Sequence, residues 1–181
     1  MSICRIIKIN MGDHMIDCNN VVPADKYAST NFKYRELMDP TTCELILCPL
    51  FLFIMQMART KSKCAIVVDE GLSWYRGKAY NTLIGGSDKS AHMKGTACDS
   101  KWFSVYGFQL HPIQCAYMLR ELAEMFNLTY ELGVYLPGYD GSDTGGYVHF
   151  AIFVDKQHTY YYDSSNTYHE VQSLEEINVN I

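Results

Sequence analysis

The sequence predicts one domain that mixes α-helices with β-strands, on three observations. The first is scale: 181 residues, 48% of them apolar, support a single hydrophobic core and leave little for a second. The second is a pair of helical patterns. Pro49 to Arg59 opens on a proline and distributes Leu, Ile and Met around the cylinder, while Pro112 to Phe126 places Ile113, Tyr117, Leu119, Leu122 and Phe126 at helical spacing. The third is strand alternation between Tyr147 and Asp155. Val148, Phe150, Ile152 and Val154 share one face; Tyr147, His149, Ala151 and Phe153 share the other.

The remaining elements are expected in order. Residues 1–30 are weakly patterned, with a short strand at Cys4–Ile9 followed by turn formers from Gly12 to Pro23, and read as an N-terminal extension packed on a domain spanning 31–181. Leu45 to Met57 is strongly apolar but too short for a membrane span and holds Pro49, so it reads as a buried helix. Ala65–Val68 is a short buried strand. Ser73 to Asp99 turns to Gly, Ser, Asp, Lys and Tyr and is expected as a long irregular segment, a kind of loop that is usually functional. Leu128–Leu136 reads as a strand and Pro137 to Gly146 as a turn-rich run. A hairpin turning at Lys156-Gln157 would return the chain along Thr159–Tyr162.

Charge and cysteine usage narrow the function. With 15 Lys and Arg against 20 Asp and Glu, the net charge of -5 argues against a nucleic-acid partner. The most basic stretch, Arg59 to Lys63, is explained by a solvated helix end. Seven cysteines, an odd number without a CxxC pair, lie mostly in apolar surroundings and are expected as small buried hydrophobes in a reducing cytosol. Arg5 and Lys8 interrupt the apolar N-terminus, so no signal peptide is expected and synthesis is placed in the cytoplasm.

Chemistry concentrates in Ser90-Ala91-His92-Met93-Lys94-Gly95-Thr96-Ala97-Cys98-Asp99. A histidine and an aspartate are ligand types that zinc accepts. Gly95 lets the chain turn after His92, and Ala97 leaves room on the face of Asp99. Taken alone, this pair is weak evidence and reads more readily as a loop histidine and a turn-capping aspartate. His149, held on a packed strand beside the small Ala151, is the best third ligand. A His-Asp-His set leaves a fourth position for water or substrate, the pattern of catalytic zinc.

The stretch resembles the zinc D-Ala-D-Ala carboxypeptidase and L,D-endopeptidase superfamily, which includes the hedgehog signalling domain. Ser90, His92, Gly95, Ala97 and Asp99 match its Ser-x-His-x-x-Gly-x-Ala-x-Asp signature. Upstream, Ser73-Trp74-Tyr75-Arg76, Asn81 and Gly85-Gly86 follow the family order, with Trp74 where the family has Gly. Gly146-Tyr147-Val148-His149-Phe150 resembles the strand bearing the last histidine. The resemblance covers roughly residues 31–155. It implies an α+β fold, an antiparallel β-sheet with helices on one face and a zinc cleft on the other. It implies zinc held by His92, Asp99 and His149, and peptidoglycan stem peptides as substrate. Arg76 would grip a substrate carboxylate, with a surface ion pair as its alternative. Ser90 would orient the site or cap the turn.

Two expected carboxylates are missing. Many members carry an acidic residue three positions before the last histidine, here Gly146; others carry one two positions after it, here Ala151. Asp143 is the best substitute base and Asp140 the second, unless both only form turns. Tyr147 would donate to a tetrahedral intermediate or simply pack. His14, His111, His158 and His169 read as surface or cap residues. Two functions follow: a peptidase cutting bacterial cell-wall peptide, such as a phage-type lysin, or an impaired metal- or peptide-binding module, such as a virion component with virion or tail partners.

Overall fold

The computed structural model describes residues 2–68, 74–139 and 145–177, which cluster into two units. In the first, Met1–Met57 with Val68–Cys98, the weakly patterned N-terminus is a strand pair. β1 (Ile3–Asn10) runs antiparallel to β2 (Met15–Pro23), and β3 (Glu44–Leu47) joins β1 in parallel, giving the order β2-β1-β3. No residue of β2 is buried, so it lacks the period-two apolar signal by which a strand is read. A short helix α1 (Tyr34–Leu37) precedes β3. α2 (Pro49–Ser62) follows it and buries Phe51, Ile54, Met55 and Ala58, spaced three and four apart along one face. The segment expected as irregular holds α3 (Lys78–Leu83) and a 3-10 turn at Ala91–Lys94. Both are too short to show a helical period.

The second unit, Ala58–Val67 with Asp99–Ile181, carries most of a six-stranded sheet. Its strands are β4 (Ala65–Val68), β5 (Ala97–Phe103), β6 (Tyr130–Tyr135), β7 (Tyr147–Ile152), β8 (His158–Tyr162) and β9 (Tyr168–Val171), in the order β4-β5-β7-β6-β8-β9. The sheet is mixed, which corrects the antiparallel expectation: β6 is antiparallel to β7 but parallel to β8. The hairpin expected at Lys156-Gln157 is also absent. Phe153 adopts a left-handed φ of 58°, which ends β7 at Ile152. The chain then crosses to the far side of β6 and does not fold back on β7.

One face of this sheet is covered by α4 (Pro112–Met125). Leu132, Val134, Val148, Phe150 and Ile152 are fully buried, and the Tyr130 hydroxyl donates to Glu124 of the helix at 3.3 Å. His111 caps α4 by accepting from the Ile113 N–H at 3.4 Å, the cap role its position suggested. The opposite face presents Tyr147, His149 and Ala151 on β7. Beside them stand Glu131, Gly133 and Tyr135 on β6, then His158, Tyr160 and Tyr162 on β8. Gly133 lies between His149 and Tyr160, where an added Cβ would sit 2.5 Å from the tyrosine ring. No helix among the described residues is long and apolar enough to cross a membrane.

Gly133→Ala is therefore expected to lower stability by about 1–3 kcal/mol through overpacking against Tyr160. Urea denaturation measures this, and trimming the ring with Tyr160→Ala in the same chain should return part of the loss. An unchanged midpoint in the single variant would contradict the packing.

Candidate metal centre

His92 is presented by a turn with little freedom. Ser90 Oγ accepts from the His92 N–H at 3.3 Å, so Ser90 caps the 3-10 turn, which closes on Gly95 at φ 69°. A Cβ on Gly95 would run into the Ile46 carbonyl oxygen, so glycine is required by conformation and by space. The His92 ring is buried, with Nδ1 2.7 Å from the Trp74 carbonyl oxygen. A carbonyl only accepts. Nδ1 therefore carries the proton, and Nε2 carries the ring's lone pair.

Trp74, which replaces the family's glycine, fills the core with its indole while its carbonyl serves the site. Its ring meets Phe51 edge-on at 4.8 Å and Phe32 at 5.9 Å. Two residues on, the Arg76 N–H donates to the His92 carbonyl at 3.3 Å. Asp39 then fastens the next residue. It is fully buried, accepts from the Thr41 and Thr42 N–H groups through Oδ1, and accepts from Gly77 N–H through Oδ2 at 2.7 Å. Asp39 was missed in the sequence, although Asp-Pro-Thr-Thr is a recognisable side-chain-to-backbone turn. Asn81 and Gly86 are likewise structural. Asn81 Nδ2 donates to the Ser87 carbonyl at 2.9 Å, and a Cβ on Gly86 would collide with the Asn81 amide.

Asp99 and His149 meet on the sheet face away from α4. His149 Nδ1 lies 2.7 Å from Asp99 Oδ1, and its Nε2 lies 3.4 Å from Glu131 Oε1. Burial disfavours the imidazolium, yet the hydrogen bonds to Asp99 and Glu131 outweigh it and raise the His149 pKa to about 9. The hydrogen bond from His149 holds Glu131 below the usual carboxylate range, against its own desolvation. Glu131 was not picked out from the sequence. Its signal was a lone charge within an apolar strand, on the face opposite the core.

The two absent carboxylates have physical reasons. Gly146 sits at φ 69°, and a Cβ there would run into the Tyr135 carbonyl oxygen, so no glutamate fits. Gln109 Nε2 holds this approach to β7 by donating to the Gly145 and Gly146 carbonyls, both at 2.8 Å. Ala151 is fully buried, and its cross-strand partner is Glu131, so a carboxylate reaches the same face from the neighbouring strand. Asp143 and Asp140 lie outside the described residues. Tyr147 stacks on Tyr135 at 4.1 Å with rings 14° apart and meets Tyr139 at 5.6 Å. Burial raises its phenol far above the ordinary range, so it stays a protonated donor.

His92, Asp99 and His149 each offer one ligand atom, and these atoms lie within 4.8 Å of one another. Two imidazoles and a carboxylate so arranged define a candidate mononuclear metal centre, and the donor set suits zinc. The chain belongs to the Peptidase M15 family, whose profile matches residues 30–122. That stretch includes Arg76, Ser90, His92 and Asp99; His149 lies beyond it. No curated protein and no solved structure matches the chain.

The raised pKa sets a sign for pH dependence. Protonated His149 stabilises the metal-free fold fully below about pH 6.5, and that contribution is lost as pH rises through about 9. A metal must displace this proton. Zinc binding near neutral pH is thus expected to release about one proton, with affinity rising up to about pH 9. Calorimetry in buffers of different ionisation enthalpy measures the release; affinity independent of pH across this window would contradict it.

Proposed function

We propose that this chain is a zinc-dependent peptidase that hydrolyses peptidoglycan stem peptides, of the D,D-carboxypeptidase or L,D-endopeptidase type. Membership of a peptidase family supports the reaction class, and the convergence of His92, Asp99 and His149 is the observation that carries the metal. Bound zinc would supply Lewis acidity toward a peptide carbonyl and toward water. The chain's own residues do the rest. His92 offers Nε2 because Trp74 holds its Nδ1–H. Arg76 receives a substrate carboxylate on its planar donor fork, its backbone tied to the His92 turn and its successor Gly77 tied to Asp39. Tyr147, kept protonated, donates to the developing oxyanion, and Asp143 takes the proton from the attacking water and passes it to the leaving amine. The site of action is the bacterial cell wall, reached after release as a phage-type lysin does, or from within a virion.

A second reading is favoured by Gly146 and Ala151, which occupy the positions of family carboxylates. It is a metal-bearing structural or peptide-binding module without turnover.

Incubation of the zinc-loaded protein with purified peptidoglycans of several stem types separates the two. The peptidase reading expects new termini by mass spectrometry, and a loss in rate on the order of a hundredfold or more in Asp143→Ala. Absence of new termini from every stem type, with retained zinc, favours the module.

A further inference from the structure

We propose that Glu131 is the positioning residue of the metal centre: it accepts a hydrogen bond from His149 Nε2–H and so reserves Nδ1 for the metal. This rests on the zinc reading above. The strand register brings the two side chains together. Glu131 pairs with Ala151 and Gly133 with His149, so Glu131 is the diagonal neighbour of His149 on one sheet face. Glu131 Oε1 stands 3.4 Å from Nε2, on the side of the ring away from Asp99, which faces Nδ1 at 2.7 Å. The carboxylate is itself held. The Tyr160 hydroxyl donates to Glu131 Oε1 at 3.5 Å, and Tyr160 gains its place because Gly133 has no side chain.

An imidazole that ligates a metal through one nitrogen keeps its proton on the other, and an acceptor beside that proton fixes the ring and strengthens the ligand. Both histidines of this centre have such an acceptor, at opposite nitrogens. His92 gives its Nδ1–H to the Trp74 carbonyl and is left with Nε2. His149 gives its Nε2–H to Glu131 and is left with Nδ1, the nitrogen already facing Asp99. Because the second acceptor is a carboxylate, its loss removes charge as well as a hydrogen bond. A neutral glutamine at 131 can still accept from Nε2–H, and alanine cannot.

The test compares wild type, Glu131→Gln and Glu131→Ala by zinc competition against a chromogenic chelator, with melting of each metal-free form as the fold control. Glu131→Ala is expected to lose about tenfold to a hundredfold in zinc affinity, and Glu131→Gln distinctly less. Wild-type protein labelled with 15N in its histidines supplies a readout independent of folding in the variants. Its zinc-loaded spectrum should show His149 metallated on Nδ1 and protonated on Nε2. Metal on Nε2, or wild-type affinity in Glu131→Ala, would overturn the positioning role alone. Failure of the wild-type chain to take up zinc would overturn the zinc reading with it.

Discussion

The contact on which the site depends is that of His149 Nδ1 with Asp99 Oδ1, 2.7 Å apart on a sheet face shielded from solvent. Without metal, the pair is satisfied by a proton, and the imidazole is held charged by carboxylates on both of its sides. A divalent cation can replace that proton because the donors converge already and the negative charge is already in place. The cost of burying an imidazole between two carboxylates is met only if one of these cations is present.

Small residues keep that arrangement open, and large ones wall it in. Ala97 and Ala151 are fully buried next to the ligand positions, and Gly133 leaves the space that Tyr160 occupies. Around them Tyr135, Tyr147 and Tyr162 stack at 4.1 and 4.9 Å with nearly parallel rings. Stacked rings fix one another's torsions, so His149 stands in a frame that packing defines. On the His92 side the same result comes from backbone chemistry. The Trp74 carbonyl, the Arg76 N–H and the Asp39 carboxylate lock the segment carrying the proposed substrate-binding arginine.

Much of this was legible in the sequence where the signal was local. The helices at Pro49 and Pro112 and the strand carrying His149 follow from periodicity, and the Gly95 requirement follows from a turn after a histidine. The peptidase family was legible from the ordered motif ending at Asp99. What was illegible is pairing between distant segments. Nothing local announces that β8 lies parallel to β6, since a single left-handed residue, Phe153, diverts the chain. Glu131 escaped notice for the same reason: its neighbour Ala151 is next to it through strand register, twenty positions away in sequence. Asp39 acts across 38 residues on Gly77.

Zinc K-edge X-ray absorption of the loaded protein reads out whether two imidazoles and a carboxylate hold the metal. The expected shell is nitrogen and oxygen alone, with imidazole scattering from two histidines and Zn–N distances of about 2.0–2.1 Å. A sulfur shell at about 2.3 Å, placing the metal on cysteine thiolates, would contradict it.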